Sequence, residues 1–375
     1  MEVIGRIGTR VKQLREERAW TQQALADKAG ASQPTIAGIE SGTQLPGTAL
    51  LGRLAELFRV DLDFFYRSKE NPFEALLRAE EVKPEIRDTL REFTERCMRY
   101  REIEQAAGIE PAVAPAYAPH RGSDLFENAE HVAEDTRRRL DLGSQTPRDL
   151  ADILERDGLR AMSIDTAKQL DGLFLFAEGE GGFALVDGSG APERQLFTLA
   201  HEYGHFLMHR QIGHWLDYDT GSPPRKGDRV EMAANSFAAA FLMPKSAIES
   251  WWISKGKDNI AEIAGLRRAL GVSYRALGWR LVALGLMPKT MRDRLETSED
   301  AFKNLERRIY GTDAPTGVRI PEFSDRQRYL ALLAYQKGEA TVSKLAQWLE
   351  TDVVEADQIA KALTWEEEPR VPAAN

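Results

Sequence analysis

The sequence predicts a mostly α-helical protein with a small β-sheet, the α+β class. Three observations carry this expectation. Near the N-terminus, two short helix signatures follow one another across a glycine turn. Further on, an apolar helix bearing two histidines and a glutamate follows two short apolar strand patterns. The C-terminal third then keeps a helical period almost to its end.

Thr21-Gln22-Gln23-Ala24-Leu25-Ala26-Asp27-Lys28-Ala29-Gly30 reads as a short helix, with Thr21 as its N-cap and Gly30 as its stop. Ser32 caps a second helix running from Gln33 to Glu40. Pro34 falls in its first turn, where a missing N–H costs little. Two short helices joined this way form a helix-turn-helix whose second member is the recognition helix. Arg6 to Arg18 supplies an amphipathic helix before the pair, and Leu50, Leu51, Leu54, Ala55 and Phe58 mark one after it. The recognition helix has no Lys or Arg, although phosphate neutralisation drives much of DNA affinity. The candidate DNA contacts are therefore Gln22, Ser32, Gln33 and Thr35, with Gln22 suited to phosphate and Gln33 and Thr35 to base edges. The competing reading is a helical dimerisation module that has lost DNA contact.

His201-Glu202-Tyr203-Gly204-His205 places two histidines one turn apart on one helix face. They can grip one metal ion from the same side, and Glu202 can take a proton from its bound water. This is the H-E-x-x-H arrangement of zinc peptidases. The bland alternative is a surface helix with two spare histidines. Leu196, Phe197, Leu199, Ala200, Phe206, Leu207 and Met208 argue for burial instead, and buried polar groups need a partner. A catalytic Zn2+ takes three protein ligands. Glu231, at the start of an Ala-rich apolar run ending at Pro244, leads for the third place. Its rival role is a charge that favours a helix N-terminus. Asn235, one turn further along the same face, is a candidate to support a ligand. His209 is a competing ligand, but the three-histidine pattern needs a histidine where Gln211 stands, so it reads as a helix-end or supporting residue. His214 and Tyr218 follow in an expected loop and are candidates to stabilise an oxyanion.

Two family resemblances rest on these residues. Phe197-Thr198-Leu199-Ala200-His201-Glu202-Tyr203-Gly204-His205 resembles the signature of the ImmA/IrrE metallopeptidases. Glu231-x-x-Ala234-Asn235-x-Phe237-Ala238 and Leu242-Met243-Pro244 resemble that family's second motif. The likeness covers about residues 122 to 250. It includes short strands at Asp171-Gly172-Leu173-Phe174-Leu175 and Gly182-Phe183-Ala184-Leu185-Val186. It implies a zincin-like core with His201, His205 and Glu231 as zinc ligands and Glu202 as general base. It also implies cleavage of a repressor in a stress response or mobile-element control. Gln22-x-x-Leu25-Ala26 and Ile36-x-x-x-Glu40-Ser41-Gly42 resemble the XRE (Cro/repressor-like) family over about residues 5 to 66, which implies a five-helix DNA-binding module.

A second hairpin repeats the pattern. Leu266 to Ser273 aligns with Leu25 to Ser32, with Gly271 at the turn and Ser273 at the cap. It carries Arg267, Arg268, Arg275 and Arg280. The favoured expectation is a hairpin packed on the peptidase with its arginines in solvent, and the alternative is a second DNA reader.

The expected domains are 1–69, the helix-turn-helix; 70–121, a charged helix and Pro/Ala linker; 122–254, the peptidase; 255–290, the hairpin; and 291–375, a helical region with a disordered tail. In the last, Leu345, Ala346, Trp348 and Leu349 mark one buried face and Ile359, Ala362 and Leu363 another. At 375 residues and net charge −9, the chain has ample core and does not read as one coated with nucleic acid. Cys97 is the sole cysteine, in a charged helical stretch, and reads as incidental. That, with no signal peptide or long apolar run, favours the cytoplasm and no membrane contact. The combined expectation is a regulator that binds double-stranded operator DNA, fused to a zinc endopeptidase. Its substrate would be another repressor or its own linker at 108 to 122. A homodimer would match two half-sites. The rivals are a non-enzymatic regulator with a structural or sensory metal, and an antitoxin-like binding protein.

Overall fold

The computed structural model describes residues 7–8, 10–12, 14–15, 18, 20–58, 65, 84–117, 125–147, 149–177, 179–210, 214–217, 229–255, 260–311 and 319–363. The chain divides into two compact units, Met1–Ala79 and Glu80–Asn375.

In the first unit, helical residues between 7 and 15 precede α1 (Gln22–Ala29), α2 (Gln33–Glu40) and α3 (Thr48–Phe58). The caps form as the side chains dictate. Thr21 Oγ1 accepts the Ala24 amide at 3.1 Å, and Ser32 Oγ accepts the Thr35 amide at 3.2 Å. Gly30 takes φ 60°, which ends α1 and opens the turn. Ile7, Val11, Leu25, Ile36, Ile39, Leu54 and Phe58 share one core. A fifth helix would fall after Phe58, where Phe65 is the only residue described before Pro84.

The second unit opens with α4 (Arg87–Ala107), which buries Leu90, Phe93, Cys97, Tyr100 and Ile103 at helical spacing. Burial pushes the Cys97 thiol well above its ordinary range, which leaves it inert. Residues 109–117 have no regular structure but are fastened to the core. The Tyr117 amide donates to the Leu207 carbonyl at 2.9 Å, and Arg210 donates to the Ala114 carbonyl at 2.8 Å. The rest of the expected linker, 118–122, lies outside the described residues, as does the tail at 366–375.

After α5 (Leu125–Arg139) and α6 (Leu150–Arg156) comes the sheet: β1 (Leu159–Ile164), β2 (Gly172–Ala177), β3 (Gly181–Asp187) and β4 (His214–Asp217), in the order β1-β3-β2-β4. β1 runs parallel to β3, and β2 is antiparallel to both β3 and β4. The sequence pattern signals β2 and β3. It hides β1, because Arg160 breaks the apolar run. Arg160 is nonetheless buried, paired with Glu104 of α4 at 2.6 Å. His214 heads a strand rather than the expected loop, because its backbone pairs opposite Leu175 on the sheet edge.

One face of the sheet supports α7 (Pro192–Met208), and α8 (Arg229–Leu242) packs on α7 and α5. α9 (Lys245–Lys255) leads to the second hairpin, α10 (Ile260–Leu270) and α11 (Tyr274–Ala283). Gly271 takes φ 65° and Ser273 Oγ accepts the Ala276 amide at 3.1 Å, so the local turn is as expected. Leu266, Leu270, Leu277 and Leu281 join the same core as α7 and α8. The expectation of solvated arginines fails for two of them. Arg267 is 4% exposed, 2.9 Å from both Glu306 and Glu193. Arg280 is 3% exposed and donates to the Met243 carbonyl and to Glu130, each at 3.0 Å. The tertiary fold brings acids to these arginines that no local pattern shows.

α12 (Lys289–Thr297) and α13 (Glu299–Tyr310), which carries Glu306, follow. α14 (Asp325–Gln336), α15 (Val342–Leu349) and α16 (Val353–Leu363) complete the described chain. Lys337 donates to the Ala107 carbonyl at 2.6 Å, and Lys344 pairs with Glu102 at 2.6 Å, so this region sits on α4. Leu345, Ala346 and Trp348 are buried and Leu349 is half-buried. α16 buries Ala356 and Ala360, not the expected set of Ile359, Ala362 and Leu363. Ala356 and Ala360, one turn apart, suit a close helix contact, while Ile359 and Leu363 are half-buried and Ala362 is exposed. Among the described residues, no helix is long and apolar enough to cross a membrane.

Arg267→Ala is expected to destabilise the second unit by about 3 kcal/mol, since it strips a buried partner from Glu306. That is the low end for a buried pair, because Arg268 stays 3.3 Å from Glu306. Urea denaturation measures the loss, and DNA affinity measured in parallel should not change.

Candidate metal site and nucleic-acid interface

The site forms where α7 crosses α8. His201 and His205, one turn apart on α7, are both fully buried. Gly204 lets the helices close, since a Cβ there would stand 3.0 Å from the Phe237 ring and 3.4 Å from Ala234 Cα. Ala233, Ala234 and Ala238 keep the facing surface of α8 shallow. Tyr203, Phe237 and Phe241 pack as an aromatic cluster beside the crossing.

Three donor groups converge there. His201 Nε2 and His205 Nε2 lie 3.0 Å apart, and each is 3.3 Å from an oxygen of Glu231, in the first turn of α8. Tetrahedral zinc ligands about 2.0–2.1 Å from the ion stand roughly 3.4 Å from one another. The donors therefore already have the spacing and chemistry that a metal ion requires. His201 Nδ1 is 3.1 Å from Asn235 Oδ1 and donates to it, which leaves Nε2 with a lone pair facing the other donors. His209 Nδ1 lies 3.2 Å from His205 Nδ1, behind that ring and away from the convergence.

Burial pushes His205 down to about 3, so its ring is neutral and its nitrogen available. Burial alone would raise the Glu231 carboxyl; its contacts with His201 and His205 outweigh that and hold it well below the usual range. Glu202 is fully buried on α7 between the two histidines in sequence. His214 begins β4, and Tyr218 lies outside the described residues.

The sequence reading misses a brace on α7. The Tyr203 hydroxyl donates to Asp157, and Arg139 donates to Asp157 at 2.8 Å and to the Tyr203 oxygen at 3.1 Å. This ties α7 to the ends of α5 and α6. Tyr203 stands inside the motif, but its partners are remote in sequence and carry no signal of their own.

In the first unit, the candidate contacts form a relay. Gln33 Nε2 donates to Gln22 Oε1 at 2.9 Å, and Gln22 Nε2 donates to Glu40 Oε2 at 2.9 Å. Arg15 donates to Glu40 Oε1 at 2.6 Å and so anchors the chain of amides. Gln33 keeps a carbonyl oxygen and one N–H for another partner. Ser32 is exposed, and its hydroxyl meets that of half-buried Thr35 at 2.8 Å.

Comparison with known proteins separates the same two regions. Residues 11–65 match the helix-turn-helix family, and residues 154–282 match the IrrE N-terminal-like domain. The chain is 29% identical over 147 residues to the radiation response metalloprotease IrrE of Deinococcus radiodurans, covering 36% of this chain and 44% of that protein. It is 37% identical over 65 residues to a competence pilus inhibition repressor of Acinetobacter baylyi, covering 17% of this chain and 59% of that protein. Both matches span less than two thirds of the relative's own length. The solved complex of Bacillus thuringiensis PlcR with the peptide PapR7 and DNA aligns over 96% of this chain and all of its own. That alignment has 13% identity and a TM-score of 0.17, too low to bear on the fold. The chain thus joins an XRE-type helix-turn-helix domain to an IrrE N-terminal-like domain.

Proposed function

We propose that this chain is a DNA-binding transcriptional regulator carrying a zinc endopeptidase, with a repressor protein as its substrate. The observation that carries the reading is the convergence of His201, His205 and Glu231 at 3.0–3.3 Å, with Glu202 on the same helix. His201, His205 and Glu231 would hold a zinc ion, which would supply a Lewis acid able to polarise a carbonyl and acidify water. Glu202 takes a proton from the attacking water and passes it to the leaving amine nitrogen. Asn235 and His209, at the Nδ1 atoms of His201 and His205, hold both rings with their Nε2 atoms toward Glu231. His214, at the head of β4, and Tyr218 after it are the candidates for meeting a developing oxyanion.

The helix-turn-helix match and the amide relay support operator binding. Gln33 and Thr35 read base edges, Gln22 meets phosphate, and Ser32 stands at the helix start beside them. A homodimer matches two half-sites, and the lone buried thiol suits a reducing cytoplasm. Between the two substrates, a repressor in trans is favoured over cleavage of the chain's own linker at 108–122, of which residues 108–117 are described. That backbone is fastened along the end of α7, and a scissile segment must extend into a cleft.

Three outcomes are expected. After identical loading and dialysis, wild type should retain about one zinc per chain and Glu231→Ala much less; equal zinc in both removes Glu231 from the site. Cells making Glu202→Gln should lack new protein N-termini that wild type generates, as mapped by terminal sequencing, and identical termini count against proteolysis. Gln33→Ala should lose about 1–3 kcal/mol of preference for its operator over mutated sites, measured at fixed salt.

A further inference from the structure

Helix α7 presents two adjoining stripes. His201 and His205 face α8. Arg194, Thr198 and Glu202, spaced four apart, face the start of β2. Arg194 pairs there with Asp171, and the next residue, Gly172, lies flush against the other two. A Cβ on Gly172 would stand 2.2 Å from Glu202 Oε1, 2.6 Å from Thr198 Cγ2 and 3.1 Å from Glu202 Cδ. Neither neighbour is a loose surface chain, since Thr198 is 1% exposed and Glu202 0%.

The strand cannot retreat to make room. Gly172 pairs with Val186 of β3 on one side and Asp217 of β4 on the other. The carbonyl of Asp171 also accepts the Asp187 amide at 3.0 Å. The backbone of Gly172 is not in the left-handed region, so its conformation would admit any residue. Space, not φ, requires the glycine.

We propose that Gly172 is a positioning residue for Glu202. Its missing side chain leaves the volume in which the carboxylate lies, on the stripe adjoining the histidine pair. The role rests on the reading of Glu202 as the proton carrier. A displacement near 1 Å at such a group can lower a rate about 100-fold.

The test has two arms. The first needs no substrate: thermal unfolding of Gly172→Ala, Glu202→Ala and the double variant. The contact predicts a fall of roughly 5 °C for Gly172→Ala in the wild-type background, as for an overpacked core. The fall should be smaller where Glu202 is already alanine, the remainder coming from Thr198 Cγ2 at 2.6 Å, and equal falls in both backgrounds overturn the contact with Glu202. The second arm takes the protein whose cleavage the terminal mapping identifies and measures zinc per chain, kcat and KM. Gly172→Ala should keep its zinc and its KM within about twofold, while kcat falls about 100-fold. An unchanged kcat, or zinc lost together with activity, overturns the positioning role. A wild type that cleaves nothing overturns the peptidase reading itself, while the unfolding cycle still decides the contact.

Discussion

Two buried imidazoles and a half-buried carboxylate at the crossing of α7 and α8 constrain most of the second unit. Burying such groups is unfavourable unless each has a partner. The helices must therefore approach closely enough for three donors to share one point. That approach needs Gly204 on one helix and the alanine surface of α8 on the other. Behind the rings, Asn235 Oδ1 lies 3.1 Å from His201 Nδ1 and His209 Nδ1 lies 3.2 Å from His205 Nδ1. The sheet sets the height of α7, and β2 must begin with a residue that has no side chain where it meets Thr198 and Glu202.

A second constraint is a set of buried guanidinium–carboxylate contacts. Glu104 of α4, 0% exposed, receives Arg101, Arg160 of β1 and Arg326 of α14. Glu306 of α13 receives Arg267 and Arg268 of α10. Each carboxylate joins elements far apart in the chain. Such pairs add little net stability over an apolar core, but removing one partner is strongly unfavourable. Their effect here is to fix which elements meet. The region after residue 319 is thereby held against the helix that opens the unit, although both lie outside the IrrE-like match.

The first unit solves a different problem. Its recognition helix lacks positive charge, so long-range attraction to phosphate is weak and its local geometry has to be well defined. Arg15, Glu40, Gln22 and Gln33 form a continuous relay that limits the rotamers of both glutamines. Side chains fixed before binding lose less entropy on contact.

The chain alone determined whatever depends on short sequence spacing. Two caps and a glycine turn outlined the recognition hairpin, because capping and φ > 0 are local properties. The four-residue step from His201 to His205 put both rings on one face, because the helical period is fixed. The Ala-rich run after Glu231 marked a helix able to pack closely. Tertiary structure alone decided what distance in sequence conceals. It turned Arg267 and Arg280 inward, because Glu306 and Glu130 come to meet them from remote elements. It made a strand of Leu159–Ile164, because Glu104 neutralises the arginine that breaks its apolar pattern. It placed Gly172 under Glu202, a contact across 30 residues that follows from strand register and helix height, neither of which is written in local spacing.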